Sequence, residues 1–360
     1  MKILENTYRG HGLQTLSQKV DDPLSTDVAS VMKLLNACPV AKPTPLVAVE
    51  SLAQKLGLGS IHIKDERTRM GLGSFKALGG AYSIAKAAVK ANGGLGTVDE
   101  MSAALNGHVF VTASAGNHGL SVAAGARIFG ARAIVYLSET VPSGFADKLG
   151  GFGADVVVEG AHYEASADAA QNIAKENGWT LIADSTWEGY SGGRDIMEGY
   201  LAMPEEAAGQ LNGTIPTHVF LQAGVGGLAG AVAVHVRETW GDAPHICIVE
   251  PSFAPALYQG IAQGDIVHAS GPVSNMGRLD CKEASLLALE FLAKAADSFM
   301  QVDDDFVATE IQDLAALGLE TSPSGGAGYA GLAAAAKANA LDLGPDSRIL
   351  LFLSEGPADD

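Results

Sequence analysis

Four short segments of the chain hold the residues with the clearest chemical capacity: Gly71-Leu72-Gly73-Ser74-Phe75-Lys76, Ser114-Ala115-Gly116-Asn117-His118-Gly119, Gly224-Val225-Gly226-Gly227-Leu228 and Ser354-Glu355-Gly356. The glycine run at 224–227 follows the apolar stretch HVFLQA and precedes LAGAVAVHV. It therefore offers unblocked amides at a helix amino terminus, a place that holds phosphate. A tight packing turn accounts for the same glycines. No Lys-Ser/Thr follows, and the run is no Gly-x-Gly-x-x-Gly opening the first strand-helix unit, so a small phosphorylated cofactor fits better than ATP or NAD. Lys76 stands at the start of an expected helix, where a cation gains nothing from the helix dipole. An amine so placed is disposed to shed its proton, as Schiff-base formation with an aldehyde requires. Most lysines are simply solvated, and Lys76 alone would be read that way.

Apolar runs bounded by glycine alternate with alanine-rich stretches along most of the chain, the pattern of strand-helix-strand units around a parallel sheet. The expected strands are SIHIKD, HVFVTA, ARAIVYL, ADVVVE, TLIADS, THVFLQA, HICIVEP and RILLFLS. Helices are expected over 74–91, 119–129, 163–176, 227–239 and 326–340, all rich in strong helix formers. The fold class is α/β. The reactive turns follow several of these strands, where ligands bind in open α/β sheets.

With 360 residues the chain is long for one core, and two lobes are expected. The composition is 47% hydrophobic and 18% charged, that of a folded globular protein. A formal net charge of −18 disfavours nucleic acid and anionic membranes as partners. Cys38, Cys247 and Cys281 are scattered, without a Cys-x-x-Cys pair, which points to a reducing compartment and no zinc site. The histidines show no metal-ligand spacing. Neither a signal peptide nor a long apolar span is evident, so the protein is expected in the cytoplasm.

Read in order, Pro43-Thr44-Pro45-Leu46, Ile63-Lys64-Asp65-Glu66, Gly73-Ser74-Phe75-Lys76, Ser114-Ala115-Gly116-Asn117-His118-Gly119 and Gly224-Val225-Gly226-Gly227 resemble the fold-type II pyridoxal-phosphate enzymes. That group includes the threonine and serine dehydratases and tryptophan synthase β. The resemblance implies two open twisted α/β lobes with pyridoxal 5′-phosphate in the cleft between them. Residues 1–78 and 195–360 would form the larger lobe and 79–194 the smaller, and the enzyme would be a homodimer. Lys76 matches the lysine that carries the cofactor, and the amides of Gly224, Val225, Gly226, Gly227 and Leu228 match its phosphate cradle. Asn117 matches the asparagine at the cofactor's phenolic oxygen, and Ser354 the neutral residue at its ring nitrogen. Such a neutral partner suits elimination over transamination. Ser114, Ala115, Gly116, Asn117 and His118 match the loop that receives the substrate carboxylate.

Within the group, Asp184-Ser-Thr-Trp187-Glu188-Gly189-Tyr190 and Ile196-Met197-Glu198-Gly199-Tyr200 are similar to segments of the diaminopropionate ammonia-lyase branch. This implies β-elimination from a small β-substituted amino acid such as 2,3-diaminopropionate, giving a 2-oxo acid and ammonia by way of aminoacrylate. Lys76 would be the base, and Asp184 the carboxylate at the leaving amine. A helix cap is the other reading of Asp184. Ala115 replaces an aspartate that the branch uses as the base for D-isomers, and Ser-Ala-Gly-Asn is the wording of the dehydratases. An L-threonine, L-serine or 3-hydroxyaspartate dehydratase and a β-replacement synthase are the alternative enzymes. A non-catalytic sensor would not need Lys76. Arg278 lies in the polar stretch 275–280, near the substrate or in a surface ion pair, and 324–328 opens a helix that lines the cofactor or merely packs.

Overall fold

The computed structural model describes residues 1–20, 23–114, 116–141 and 143–357, and among them eleven strands, most of them the apolar runs, form two sheets. The larger sheet has the order β1 (Lys2–Glu5), β10 (Ser298–Val302), β9 (His245–Pro251), β8 (His218–Gln222), β11 (Arg348–Leu353), β3 (Ser60–Asp65), β2 (Leu46–Ala48). Its inner strands are parallel, and the edges β1 and β2 are antiparallel. The inner strands are apolar almost throughout because helices cover both faces: β8 and β10 are buried at every position. The smaller sheet is wholly parallel, in the order β6 (Ala154–Val158), β5 (Arg132–Leu137), β4 (Val109–Ala113), β7 (Thr180–Leu181).

The two sheets meet along the helix Lys76–Asn92, which packs against the helices Asn117–Ile128 and Gly193–Tyr200. Its close approach depends on glycine. A Cβ on Gly79 would stand 2.6 Å from Ile196 Cγ2, and one on Gly80 would stand 2.2 Å from Ser121 Oγ.

Most expected elements are present with shifted ends. The helix expected from residue 119 begins at Asn117, and the one expected from 326 runs over Pro323–Lys337, capped by Ser322. The stretch TLIADS is a strand only over Thr180–Leu181, because the Tyr190 hydroxyl accepts from Ala183 N (2.9 Å) and donates to Leu181 O (3.1 Å). β1, β2 and β10, and helices such as Leu286–Ala295 and Asp304–Ala315, lie outside the expected elements.

Candidate active site

The reactive turns lie at the carboxyl ends of parallel strands: Gly224 after β8, Ser354 after β11 and Ser114 after β4. Lys76 is the first residue of its helix, and the chain just before it is fastened to the end of β11. Phe75 N donates to Ser354 O (3.0 Å), Gly356 N donates to Gly73 O (3.1 Å), and Gly73 has φ +80°, which glycine adopts without strain. Lys76 N donates to Ser74 Oγ at 3.2 Å. These bonds hold the lysine beside Ser354.

Lys76 Nζ donates to Asp184 Oδ2, and both side chains are about one-fifth exposed (22% and 21%). Burial by itself would lower the lysine's pKa, but the Asp184 carboxylate reverses the sign and holds the amine as ammonium. For Asp184 the order is the same: burial would raise its pKa, and the Lys76 ammonium instead holds it well below the usual carboxylate range. The expectation that a helix-start lysine sheds its proton is thus corrected by a counterion that the local sequence does not contain.

No helix opens at Asp184, and the next one begins at Gly193. Its loop is anchored instead. Thr186 N donates to Ser285 Oγ (3.0 Å), Leu287 N donates to Thr186 Oγ1 (2.9 Å), and the rings of Trp187 and Tyr190 stack at 4.3 Å.

The glycine turn has the features of an anion cradle. Gly226 has φ +100°, and no side chain caps the helix Gly227–Trp240. Among the described residues no carbonyl accepts from the N–H groups of Gly226, Gly227 or Leu228. A Cβ at Gly224 would stand 2.9 Å from Cys281 Sγ, and one at Gly226 would stand 2.9 Å from Ala288 Cβ. The Val225 N–H is directed at the Cys281 thiol, whose pKa burial, foremost, pushes up to about 11. Tyr200, 1% exposed, has its ring edge 3.4 Å from the Cβ position of Gly227, and its buried hydroxyl has no partner among the described residues. Unpaired amides and an orphaned hydroxyl beside an amine are what a phosphorylated aldehyde would satisfy.

Across from this cradle, Gly116 opens the helix Asn117–Ile128 without a side-chain cap, and its N–H donates to Ser114 Oγ (3.2 Å). Asn117 Nδ2 donates to Glu355 Oε2 at 2.6 Å, and Glu355 is further held by Ser322 Oγ. His118 turns into the core, with Nε2 on Ile182 O at 3.1 Å, and burial, foremost, lowers its pKa. Ala115 lies outside the described residues. Ser324 Oγ accepts from Arg278 N (3.0 Å), and a Cβ on Gly325 would meet Thr321 Oγ1 at 2.2 Å, so the start of the Pro323–Lys337 helix serves close packing.

Sequence reasoning assigned no role to Tyr200, Cys281, Glu355 or Tyr163. Tyr200 and Glu355 stand within motifs that were read, which was the available signal. Tyr163 begins the helix Tyr163–Asn177 and is open to solvent on one side. Its phenol pKa is pushed up by burial first and then by the Asp184 carboxylate.

Two sheets flanking a lysine, a glycine cradle and an uncapped helix start define a fold-type II pyridoxal-phosphate enzyme. The model of the family described as "Pyridoxal-phosphate dependent enzyme" matches residues 38–355, and the chain belongs to that family, with pyridoxal phosphate as its cofactor. The chain is 35% identical over 276 residues to diaminopropionate ammonia-lyase of Escherichia coli (strain K12), covering 74% of this chain and 69% of that protein. A probable D-serine dehydratase of Pseudomonas paraeruginosa is 30% identical over 292 residues, 72% of this chain and 63% of its own length. Among solved structures, Escherichia coli diaminopropionate ammonia lyase in complex with D-serine superposes with a TM-score of 0.88 at 29% identity, covering 99% of this chain and 93% of that one. The same enzyme in complex with an aminoacrylate-PLP azomethine reaction intermediate gives 0.87 at 30% identity, with coverage of 99% and 93%.

Proposed function

We propose that the protein is an ammonia-lyase that eliminates the β-substituent of a small amino acid, 2,3-diaminopropionate being the substrate that fits best, and releases a 2-oxo acid and ammonia. The observation that carries this reading is the Lys76–Asp184 contact beside the glycine cradle. When bound, pyridoxal phosphate supplies an electron sink for the pair left at the substrate's α-carbon.

The residues divide the remaining work. Lys76 Nζ would hold the cofactor at its aldehyde carbon, and its free amine would take the substrate's α-proton. The N–H groups of Gly224, Val225, Gly226, Gly227 and Leu228, with the Tyr200 hydroxyl, hold the phosphate. Ser354 would face the ring nitrogen, and the Asn117 amide the phenolic oxygen. The amides at the start of the Asn117–Ile128 helix, with Ser114, Ala115 and His118, take the substrate carboxylate. Asp184, held ionised, binds a β-ammonium and orients it for departure, since that group already carries the proton its leaving requires. Hydroxyl and other uncharged β-groups gain less from this carboxylate.

Residues 79–194 act as the smaller lobe, closing on 1–78 and 195–360 and excluding water from the substrate. The enzyme works as a homodimer in the cytoplasm, without nucleic-acid or membrane partners; no helix among the described residues is long and apolar enough to cross a membrane. The deciding experiment is a panel of L- and D-diaminopropionate, serine, threonine and 3-hydroxyaspartate, followed by ammonia and 2-oxo acid release. Highest kcat/KM for diaminopropionate is expected. Accumulation of a new amino acid when a thiol is added, in place of 2-oxo acid, would sink elimination in favour of replacement.

A further inference from the structure

Arg278 spans the cleft. Its backbone lies against the phosphate cradle, with Arg278 O 3.2 Å from the Cβ position of Gly224, at the end of the larger sheet's β8. Its guanidinium reaches the other side, where Nη1 stands 2.5 Å from the Cβ position of Gly116, after the smaller sheet's β4. Any side chain at residue 116 would collide with it.

The guanidinium thus stands beside the residue that opens the Asn117–Ile128 helix, with the Glu355 carboxylate on its other flank. Among the described residues, no carbonyl accepts from the N–H groups of Asn117 and His118 at the uncapped helix start, and His118 Nδ1 is buried without a partner. Glu355 Oε2 lies 3.8 Å from Arg278 Nε, an ion-pair distance too long for a hydrogen bond, while the same oxygen receives Asn117 Nδ2 at 2.6 Å. The Arg278 side chain is 43% exposed and long enough to adjust. Arginine's planar fork matches a carboxylate through paired charge-assisted bonds and stays protonated at any working pH.

We infer that Arg278 is a substrate-binding residue that clamps the α-carboxylate of the amino acid against the start of the Asn117–Ile128 helix. Its reach from one sheet to the other makes carboxylate binding draw the two sides together. The inference rests on the reading of this cleft as an amino-acid site, and it adds a side-chain ligand to the backbone amides. An amine without a carboxylate gains nothing from Arg278.

The test uses the holoenzyme and ligands that have no β-leaving group. L-alanine, and ethylamine as its carboxylate-free counterpart, are titrated against the cofactor's visible absorbance in the wild type, R278Q and R278K, with cofactor content and Tm measured for each. R278Q should weaken L-alanine binding roughly ten- to a hundredfold, R278K should fall between, and ethylamine should bind all three alike. Equal L-alanine affinity in wild type and R278Q, or a parallel loss for ethylamine, overturns the inference. A wild type that binds L-alanine yet releases no ammonia from any β-substituted amino acid overturns the proposed reaction instead, and the titration still decides the role of Arg278.

Discussion

The amine of Lys76 and the carboxylate of Asp184 stand 108 residues apart in the chain and in direct hydrogen-bond contact in the fold. The pair keeps one group charged by means of the other, and this tells apart two duties that Asp184 could have. A carboxylate held well below its usual range does not donate protons at neutral pH; it holds a cation. Asp184→Asn should therefore lower kcat for L-diaminopropionate by about 10²-fold, and should lower it less for L-serine, which brings no β-ammonium. Steady-state ammonia release, with cofactor content checked by absorbance, measures both. Equal losses would show that the carboxylate serves the lysine alone.

Tyr200 gives a prediction in which the sign depends on the cofactor. Its hydroxyl is buried and has no partner among the described residues, so removing it relieves a desolvation penalty when the cradle is empty. Tyr200→Phe should leave the Tm of the apoprotein unchanged or raised. In the holoenzyme the same change should weaken cofactor binding by about tenfold, read by equilibrium dialysis. A lowered apoprotein Tm with unchanged cofactor affinity would place the hydroxyl outside the phosphate site.

A stability effect is expected far from the chemistry. Glu250, fully buried, accepts from Leu257 N and Tyr258 N at 2.7 Å each, yet burial outweighs those bonds and pushes its pKa up to about 8 from 4.5. The folded state then binds a proton that the unfolded state releases between those values. The contribution to stability is fully present below about pH 4.5 and is lost as pH rises through about 8, with a slope of at most about 1.4 kcal/mol per pH unit. Denaturant unfolding of wild type and Glu250→Gln from pH 5 to 9 should show this component in the wild type and a shallower profile in the variant. Parallel profiles would contradict it.

Stereochemistry follows from Ala115, which stands where the resemblance to diaminopropionate ammonia-lyases leads one to expect an aspartate. With Lys76 as the single base, kcat/KM for L-diaminopropionate should exceed that for the D-isomer by about 10²-fold or more. Comparable values would require a second base, with Asp184 the nearest carboxylate to Lys76.

What the residue types themselves show without coordinates is local, and the grouping of Asp184, Asn117 and Ser354 with Lys76 comes from the family resemblance. The glycine turn at 224–228 and the lysine at a helix start are neighbours in sequence, and backbone amides need no distant partner to form a cradle. The Ser322 cap and Pro323 are equally local signals for the start of the last long helix. The counterion of Lys76 could not be found this way, since it depends on how the loop after β7 is tied to Ser285, and residue types alone do not show that. Nor could the orphaned Tyr200 hydroxyl, which exists only because Gly79 and Gly227 let the ring approach. β10 escaped because SFMQV is short and flanked by helical sequence, and the register that sets it beside β9 is a tertiary choice.

The central claim is that Lys76 holds the cofactor. Borohydride reduction of the purified holoprotein, followed by proteolysis and mass spectrometry, tests it directly, because reduction fixes the cofactor on the amine that carries it. The expected result is a pyridoxyl-phosphate adduct on the peptide bearing Ser74-Phe75-Lys76, absent in Lys76→Ala. An adduct on another lysine, or undiminished labelling in that variant, would contradict the account.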